Sequence, residues 1–290
     1  MSTETRIVPE AFAASPAAVV TTRDVVTATG PDTEKFLQGQ LSQDISPLAP
    51  GESAWSLLLQ PQGKVDAWLR VTRIDADTFL LDVDPGYGDA VAARLQRFLL
   101  RTKCELTVAT WPMVAIRGAG THGLDIAVES GALVVVPAQW PGIEGVDLLG
   151  EAVQVPDGVP TAGEADLELL RILCGVPAMG AELDERTIPA EAGIVDRSAS
   201  FTKGCYTGQE LVARIDSRGG NVPRHLRRLT ASSALAPGDS LTVDGADVGR
   251  VTSAVAVGDA WVGLGYVRRA VEAPGEVAGP HGPVAISALP

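Results

Sequence analysis

Residues 55–71 read Trp-Ser-Leu-Leu-Leu-Gln-Pro-Gln-Gly-Lys-Val-Asp-Ala-Trp-Leu-Arg-Val, and the order strand, turn, strand in this stretch decides the fold class. Pro61-Gln62-Gly63 separates two apolar runs, because proline pre-sets φ and glycine admits turn angles that other residues resist. Beyond the turn, Val65, Ala67, Leu69 and Val71 alternate with Lys64, Asp66, Trp68 and Arg70. That period of two predicts a half-buried strand with Lys64 and Asp66 on one face. Asp75-Ala76-Asp77 turns the chain again into a third run at 79–83. Strands joined by short turns form a β-meander rather than β–α–β crossovers.

Outward from the meander, a Val/Thr-rich strand ends at Gly30-Pro31, and Asp32-Thr33 offers an N-cap for a helix through Phe36, Leu37 and Leu41. On the other side Asp89 can cap a helix whose Val91, Leu95, Phe98 and Leu99 form one apolar stripe, with Arg94, Arg97 and Arg101 turned outward. Strand-like runs follow at 104–108, 114–116 and 133–136, then a helix over 167–173 stopped by Gly175 and Pro177. Residues 176–200 are irregular, and their mix of aliphatic and charged side chains predicts an ordered, site-building loop. A short helix at 211–215 leads to a hinge, Gly219-Gly220-Asn221. Strands at 241–243, 248–257 and 261–267, with turns at Asp244-Gly245 and Gly258-Asp259, predict a small antiparallel barrel or sandwich. The expected domains are residues 1–220, as one core or two subdomains, and residues 221–290.

The chain has 290 residues, 46% of them hydrophobic, enough for two or three compact units. No apolar run is long enough to span a bilayer, and Met1 to Arg6 lacks the charged-then-apolar order of a secretory signal. Three widely spaced cysteines, 104, 174 and 205, give neither a disulfide framework nor a Cys-x-x-Cys pair, so a reducing cytoplasm is the expected setting. Three histidines without helical pairing argue against a protein-built zinc site. A formal charge of −13 makes direct nucleic-acid binding an unfavoured expectation. Lys203, Arg214, Arg218, Arg224, Arg227 and Arg228 nevertheless gather in one stretch, a seat for an anionic ligand or an ordinary solvated face.

The chemistry concentrates in residues 203–210, Lys-Gly-Cys-Tyr-Thr-Gly-Gln-Glu. A thiol reacts as the thiolate, which a cation such as Lys203 favours. Gly204 and Gly208 let Cys205 sit at a tight bend. Tyr206 either stacks on a ring or packs. Thr207 completes the motif, and Gln209 and Glu210 either bond a ligand or tie the loop down. Arg214, four residues after Glu210, either serves a ligand or forms a helical ion pair. Cys104 and Cys174 read as buried structural thiols.

This octapeptide resembles the signature of the YgfZ-type folate-binding proteins, relatives of the glycine-cleavage aminomethyltransferase. Three further blocks resemble the family in the family order: Phe36-Leu-Gln-Gly-Gln-Leu-Ser-Gln-Asp44-Ile, Leu58-Leu-Gln-Pro-Gln-Gly-Lys64-Val-Asp66, and Ile188-Pro-Ala-Glu191-Ala-Gly. The resemblance implies an α+β, aminomethyltransferase-like core that holds tetrahydrofolate, with a small C-terminal antiparallel β-barrel. Three cysteines, two of them read as structural, fall short of the about four thiolates a stable cluster wants, so no permanent metal is expected. It implies Gln40, Asp44, Lys64 and Asp66 as folate contacts, and iron–sulfur client or assembly proteins as partners. It implies a role in maintaining iron–sulfur enzymes, including those that modify tRNA, with Cys205 as nucleophile, redox thiol or transient cluster ligand. The chain departs from the transferase in two places. Ala67 follows Asp66 where an acidic pair is expected, and Leu173 stands where a pterin-binding glutamate would align. An accessory factor is therefore the leading expectation. A folate-dependent one-carbon transferase and a non-catalytic RNA- or partner-binding module are the alternatives.

Overall fold

The computed structural model describes residues 8–121 and 130–290; the stretch Met1 to Arg6 lies outside them. In chain order the elements are α1 (Glu10–Ala13), β1 (Ala17–Thr29), α2 (Thr33–Gln40), β2 (Ser53–Leu59), β3 (Val65–Arg73), β4 (Thr78–Val83), α3 (Gly88–Gln96) and β5 (Glu105–Arg117). Next come β6 (Val134–Pro137), β7 (Gly145–Leu149), α4 (Glu164–Leu173), a 3-10 turn (Pro189–Glu191), α5 (Val195–Ser198) and α6 (Gln209–Asp216). The last six are β8 (Arg224–Ala231), β9 (Ser240–Val243), β10 (Ala246–Val257), β11 (Ala260–Arg268), β12 (Gly275–Gly279) and β13 (Gly282–Ser287). The chain divides into two compact units. A meander unit takes residues 22–111 and 178–225; a barrel unit takes the described residues up to 21 with 112–177 and 226–290.

In the meander unit β2, β3, β4 and β1 pair antiparallel in that order. Only Asp66 near the start of β3 keeps solvent; from Ala67 to Thr72 both faces are buried. The expected half-buried strand is thus a central one. Arg70 is 1% exposed, and its buried guanidinium is paired with the Asp82 carboxylate at 2.9 Å, as burial of such a group requires. Its other side lies over Trp55, which stacks on Trp68 at 4.2 Å between ring centroids.

The helix caps differ from expectation. The Asp32 side chain does not cap α2; it accepts the Lys103 N–H at 2.8 Å. Asp89 does not cap α3 either. Asp24 of β1 accepts the N–H groups of Gly86 and Gly88 at 2.8 and 2.9 Å and the Thr110 hydroxyl at 2.7 Å. Burial alone would raise the Asp24 carboxyl, but these bonds outweigh it and hold the carboxyl below its ordinary range. The stripe expected on α3 is also corrected. The helix ends at Gln96, so Phe98 falls outside its periodicity and is exposed, while Arg94 turns inward and is buried.

In the barrel unit β10-β11-β8-β13-β12-β9 close into a barrel around Leu229, Leu241, Val251, Val267, Val284 and Ile286. β7 pairs antiparallel with the 113–117 end of β5, and β6 pairs antiparallel with β7. Ile172 and Leu173 of α4 pack with Leu226, Val262, Leu264 and Tyr266. Arg171 donates to the Val176 carbonyl at 2.6 Å and to the Ser253 hydroxyl at 2.8 Å. Cys104 of the meander unit and Cys174 of the barrel unit are both buried. Burial pushes the Cys104 thiol up. Among the described residues no helix is long and apolar enough to cross a membrane.

Candidate functional site

All four sequence blocks fall in the meander unit, and two sets of contacts draw them together there. At the first, the exit of α2 meets the loop that precedes the octapeptide. The last turn of a helix leaves carbonyls without partners. The Lys203 ammonium donates to the carbonyls of Gln38, Leu41 and Gln43 at 2.8, 2.8 and 2.9 Å, which uses all three of its hydrogens. Burial lowers its pKa to about 8, opposed by the Asp44 charge. The Ser42 hydroxyl reinforces this seam: it donates to the Ser198 carbonyl at 2.5 Å and accepts the Leu57 N–H at 2.8 Å.

At the second, the 60–63 turn of the meander docks on the start of α6. Gly208 has φ of 83°, and a Cβ there would meet the Gln60 carbonyl oxygen at 2.5 Å and Leu59 at 2.8 Å. Gly63 has φ of 77°, and its Cβ would lie 2.5 Å from that of Leu211. Both positions therefore require glycine, for conformation and for space. Gly204, by contrast, has no positive φ and faces open space, so it carries no such constraint.

Between these anchors Cys205 is exposed, unlike the other two cysteines. Tyr206 is buried, its ring centroid 5.4 Å from Lys203 Nζ, and burial raises its phenol. The Gln209 side chain accepts the Tyr206 N–H at 3.2 Å and so ties the loop. Thr207 is half-buried; Glu210 and Arg214 are exposed and form no ion pair with each other. Glu191 is buried and pairs with Arg224 at 3.0 Å. Arg214 and Arg218 are exposed, whereas Lys203 is committed to carbonyls, so the basic residues of the meander unit do not form one free cationic surface.

The expected folate contacts separate. Asp44 accepts the Gln38 amide at 2.7 Å and the Ser46 N–H at 3.2 Å, a local turn-stabilising use. Gln40, whose Oε1 is buried without a partner, lines a cavity of about 320 Å³ with Lys35, Phe36 and Arg101. Lys64 is half-buried at the end of the turn, immediately before β3. Asp66 receives Arg94 Nε at 3.1 Å and lines a second cavity, of about 360 Å³, with Gln60, Gln62, Arg94 and Arg97. Sequence reasoning missed Arg94, whose signal was a strand carboxylate preceding a helix rich in arginine. It also missed Ser42 and Ser198, which carry none. Among the described residues no three His, Cys, Asp or Glu side chains come together.

No family model matches the sequence. The fold defines the class: the glycine cleavage system aminomethyltransferase T of Bartonella henselae superposes with a TM-score of 0.77 over 94% of this chain and 86% of its own, at 21% identity. The chain therefore has the α+β, aminomethyltransferase-like fold with a small barrel that its motifs imply. Within that class its sequence is YgfZ-like. It is 29% identical over 272 residues to the tRNA-modifying protein YgfZ of Klebsiella pneumoniae, covering 85% of this chain and 82% of the relative. It is also 28% identical over 221 residues to the mitochondrial iron–sulfur cluster assembly factor IBA57 homolog of Neurospora crassa, covering 69% of this chain and 50% of the relative.

Proposed function

We propose that this chain is a folate-binding accessory factor that supports assembly or repair of iron–sulfur proteins, tRNA-modifying enzymes among them, with Cys205 as its working thiol. The observation that carries the reading is the exposed sulfur of Cys205 on a loop pinned on either side by Lys203 and Gly208. An open thiol is available for attack, oxidation or metal ligation, and a pinned loop presents it in one place to an incoming partner. The names of the relatives, one for tRNA modification and one for cluster assembly, support the same direction. A stable cluster needs about four thiolates, and two of the three cysteines here are buried. Cys205 thus suits a cluster in transit better than a resident one.

Tetrahydrofolate is the proposed cofactor, with its pterin beside Asp66. The residues there fit it. The Asp66 carboxylate is oriented by Arg94 yet its side chain keeps 24% exposure, so it can accept pterin N–H groups. Gln60 and Gln62 add amides, and Arg97 adds a cation suited to the glutamate tail. The cavity volume of about 360 Å³ lies in the range of small-molecule sites, roughly 300–1,000 Å³. When bound, a reduced folate supplies a carrier for one-carbon groups.

Calorimetric titration of tetrahydrofolate and cellular complementation test the two halves separately. Cys205→Ser is expected to bind folate as the wild type does and to fail to restore iron–sulfur enzyme activity in cells lacking the chain. Asp66→Asn is expected to bind folate roughly tenfold more weakly, the loss of one charged hydrogen-bonding partner. Full rescue by Cys205→Ser removes the thiol role; unchanged affinity in Asp66→Asn removes the pterin seat.

A further inference from the structure

The meander unit holds a third cavity, between the 188–196 loop and α6, that neither the thiol nor the folate reading uses. Ile188, Val195, Val212 and Ile215 give it an apolar lining, and Asp196 and Asp216 are its charged members. Its volume is about 180 Å³, well below the roughly 300–1,000 Å³ of sites that enclose small-molecule ligands. A folate does not fit such a space; one aliphatic or aromatic side chain does. Both aspartates are exposed, and among the described residues neither side chain makes a hydrogen bond or an ion pair. No lysine or arginine lines the cavity.

From these observations we infer that this cavity docks a partner protein, taking one apolar side chain from a segment that carries lysine or arginine beside it. A buried apolar anchor is the usual source of binding energy at a protein interface. Charges at the rim select the partner and speed its approach, and two unpaired carboxylates select a basic one. Asp216 closes α6, the helix that opens four residues after Cys205. Eight helical residues span about 12 Å, so a segment seated here brings its protein close to the thiol. The inference rests on the proposed thiol role only for what the docked protein is for.

The test is a methyl-NMR titration of the full chain with three probes: the acetylated tripeptide amides Lys-Leu-Lys, Glu-Leu-Glu and Lys-Gly-Lys. At about 1 mM, where weak specific binding becomes visible, Lys-Leu-Lys is expected to shift the methyl signals of Ile188, Val195, Val212 and Ile215. The other two peptides are expected to leave them in place. The double variant Asp196→Asn/Asp216→Asn should bind Lys-Leu-Lys roughly three- to tenfold more weakly, the loss of two exposed ion pairs. Cys205→Ser should bind it as the wild type does, which separates the pocket from the thiol. Absence of shifts, equal shifts with Glu-Leu-Glu, or undiminished binding by the double variant would overturn the docking pocket and leave the thiol reading standing. Methyl shifts that grow with protein concentration in the absence of peptide would assign the cavity to a second copy of this chain and overturn it as well.

Discussion

Three main-chain carbonyls converge on the Lys203 ammonium, while burial draws its pKa down to about 8 from an ordinary 10.5. Between those two values the unfolded chain binds more protons than the folded one. The contribution of this lysine to stability therefore rises with pH across that window and is lost as pH falls through about 8. Lys203→Met provides the comparison. It should be less stable than the wild type, with the gap in unfolding free energy widening from pH 8 to pH 10 by less than about 1.4 kcal/mol per pH unit, the limit for one proton. Thermal melts of both proteins across that range read the slope. A gap that narrows would mean that the carbonyls hold the proton more strongly than burial expels it. The motif itself was legible as a lysine near a thiol. The partners of the lysine were not, because they lie 160 or more positions earlier in the chain and follow from tertiary contact alone.

At the scale of elements, the two glycines that join the meander turn to α6 make a sharper prediction. Gly208→Ala forces a side chain into a left-handed conformation and against the Gln60 carbonyl. It should cost about 2–4 kcal/mol, strain and clash together. Gly63→Ala meets Leu211 and should cost a similar amount, and the double variant should lose less than the sum because one shift of the turn relieves both clashes. Gly204→Ala, in open space, should stay within about 0.5 kcal/mol of the wild type. Urea denaturation of the four variants decides this, and a costly Gly204→Ala would mean that the loop is held differently. The meander, α2, α4 and α6 were readable because turn residues bound their apolar runs, although β3 is buried on both faces where its alternation predicted one. α3 misled because Phe98 continues the helical spacing after the helix has stopped. β8 escaped because Leu226 and Leu229, three apart, face opposite sides of the strand, one toward α4 and one into the barrel.

At the scale of the whole molecule, each unit is assembled from separated segments, and strands β1 and β5 each contribute residues to both. Local sequence patterns cannot reveal such a division, since they report neighbours along the chain. What the full sequence does report is charge. With 36 acidic against 23 basic residues, the net charge of −13 repels a polyanion at long range. Protein–RNA affinity is dominated by phosphate contacts and weakens steeply with salt. If this chain serves tRNA modification, we therefore expect it to act on the modifying enzymes and not on the RNA. In gel-shift titrations with unmodified tRNA at about 0.15 M salt, a Debye length near 8 Å leaves only close contacts in play. No complex should form there at micromolar protein, and any complex seen at low salt should dissolve as salt is raised. A complex that survives 0.15 M salt, and is weakened by substitution of the exposed Arg214 and Arg218, would place RNA among the direct ligands and move the site of action from the protein partner to the nucleic acid.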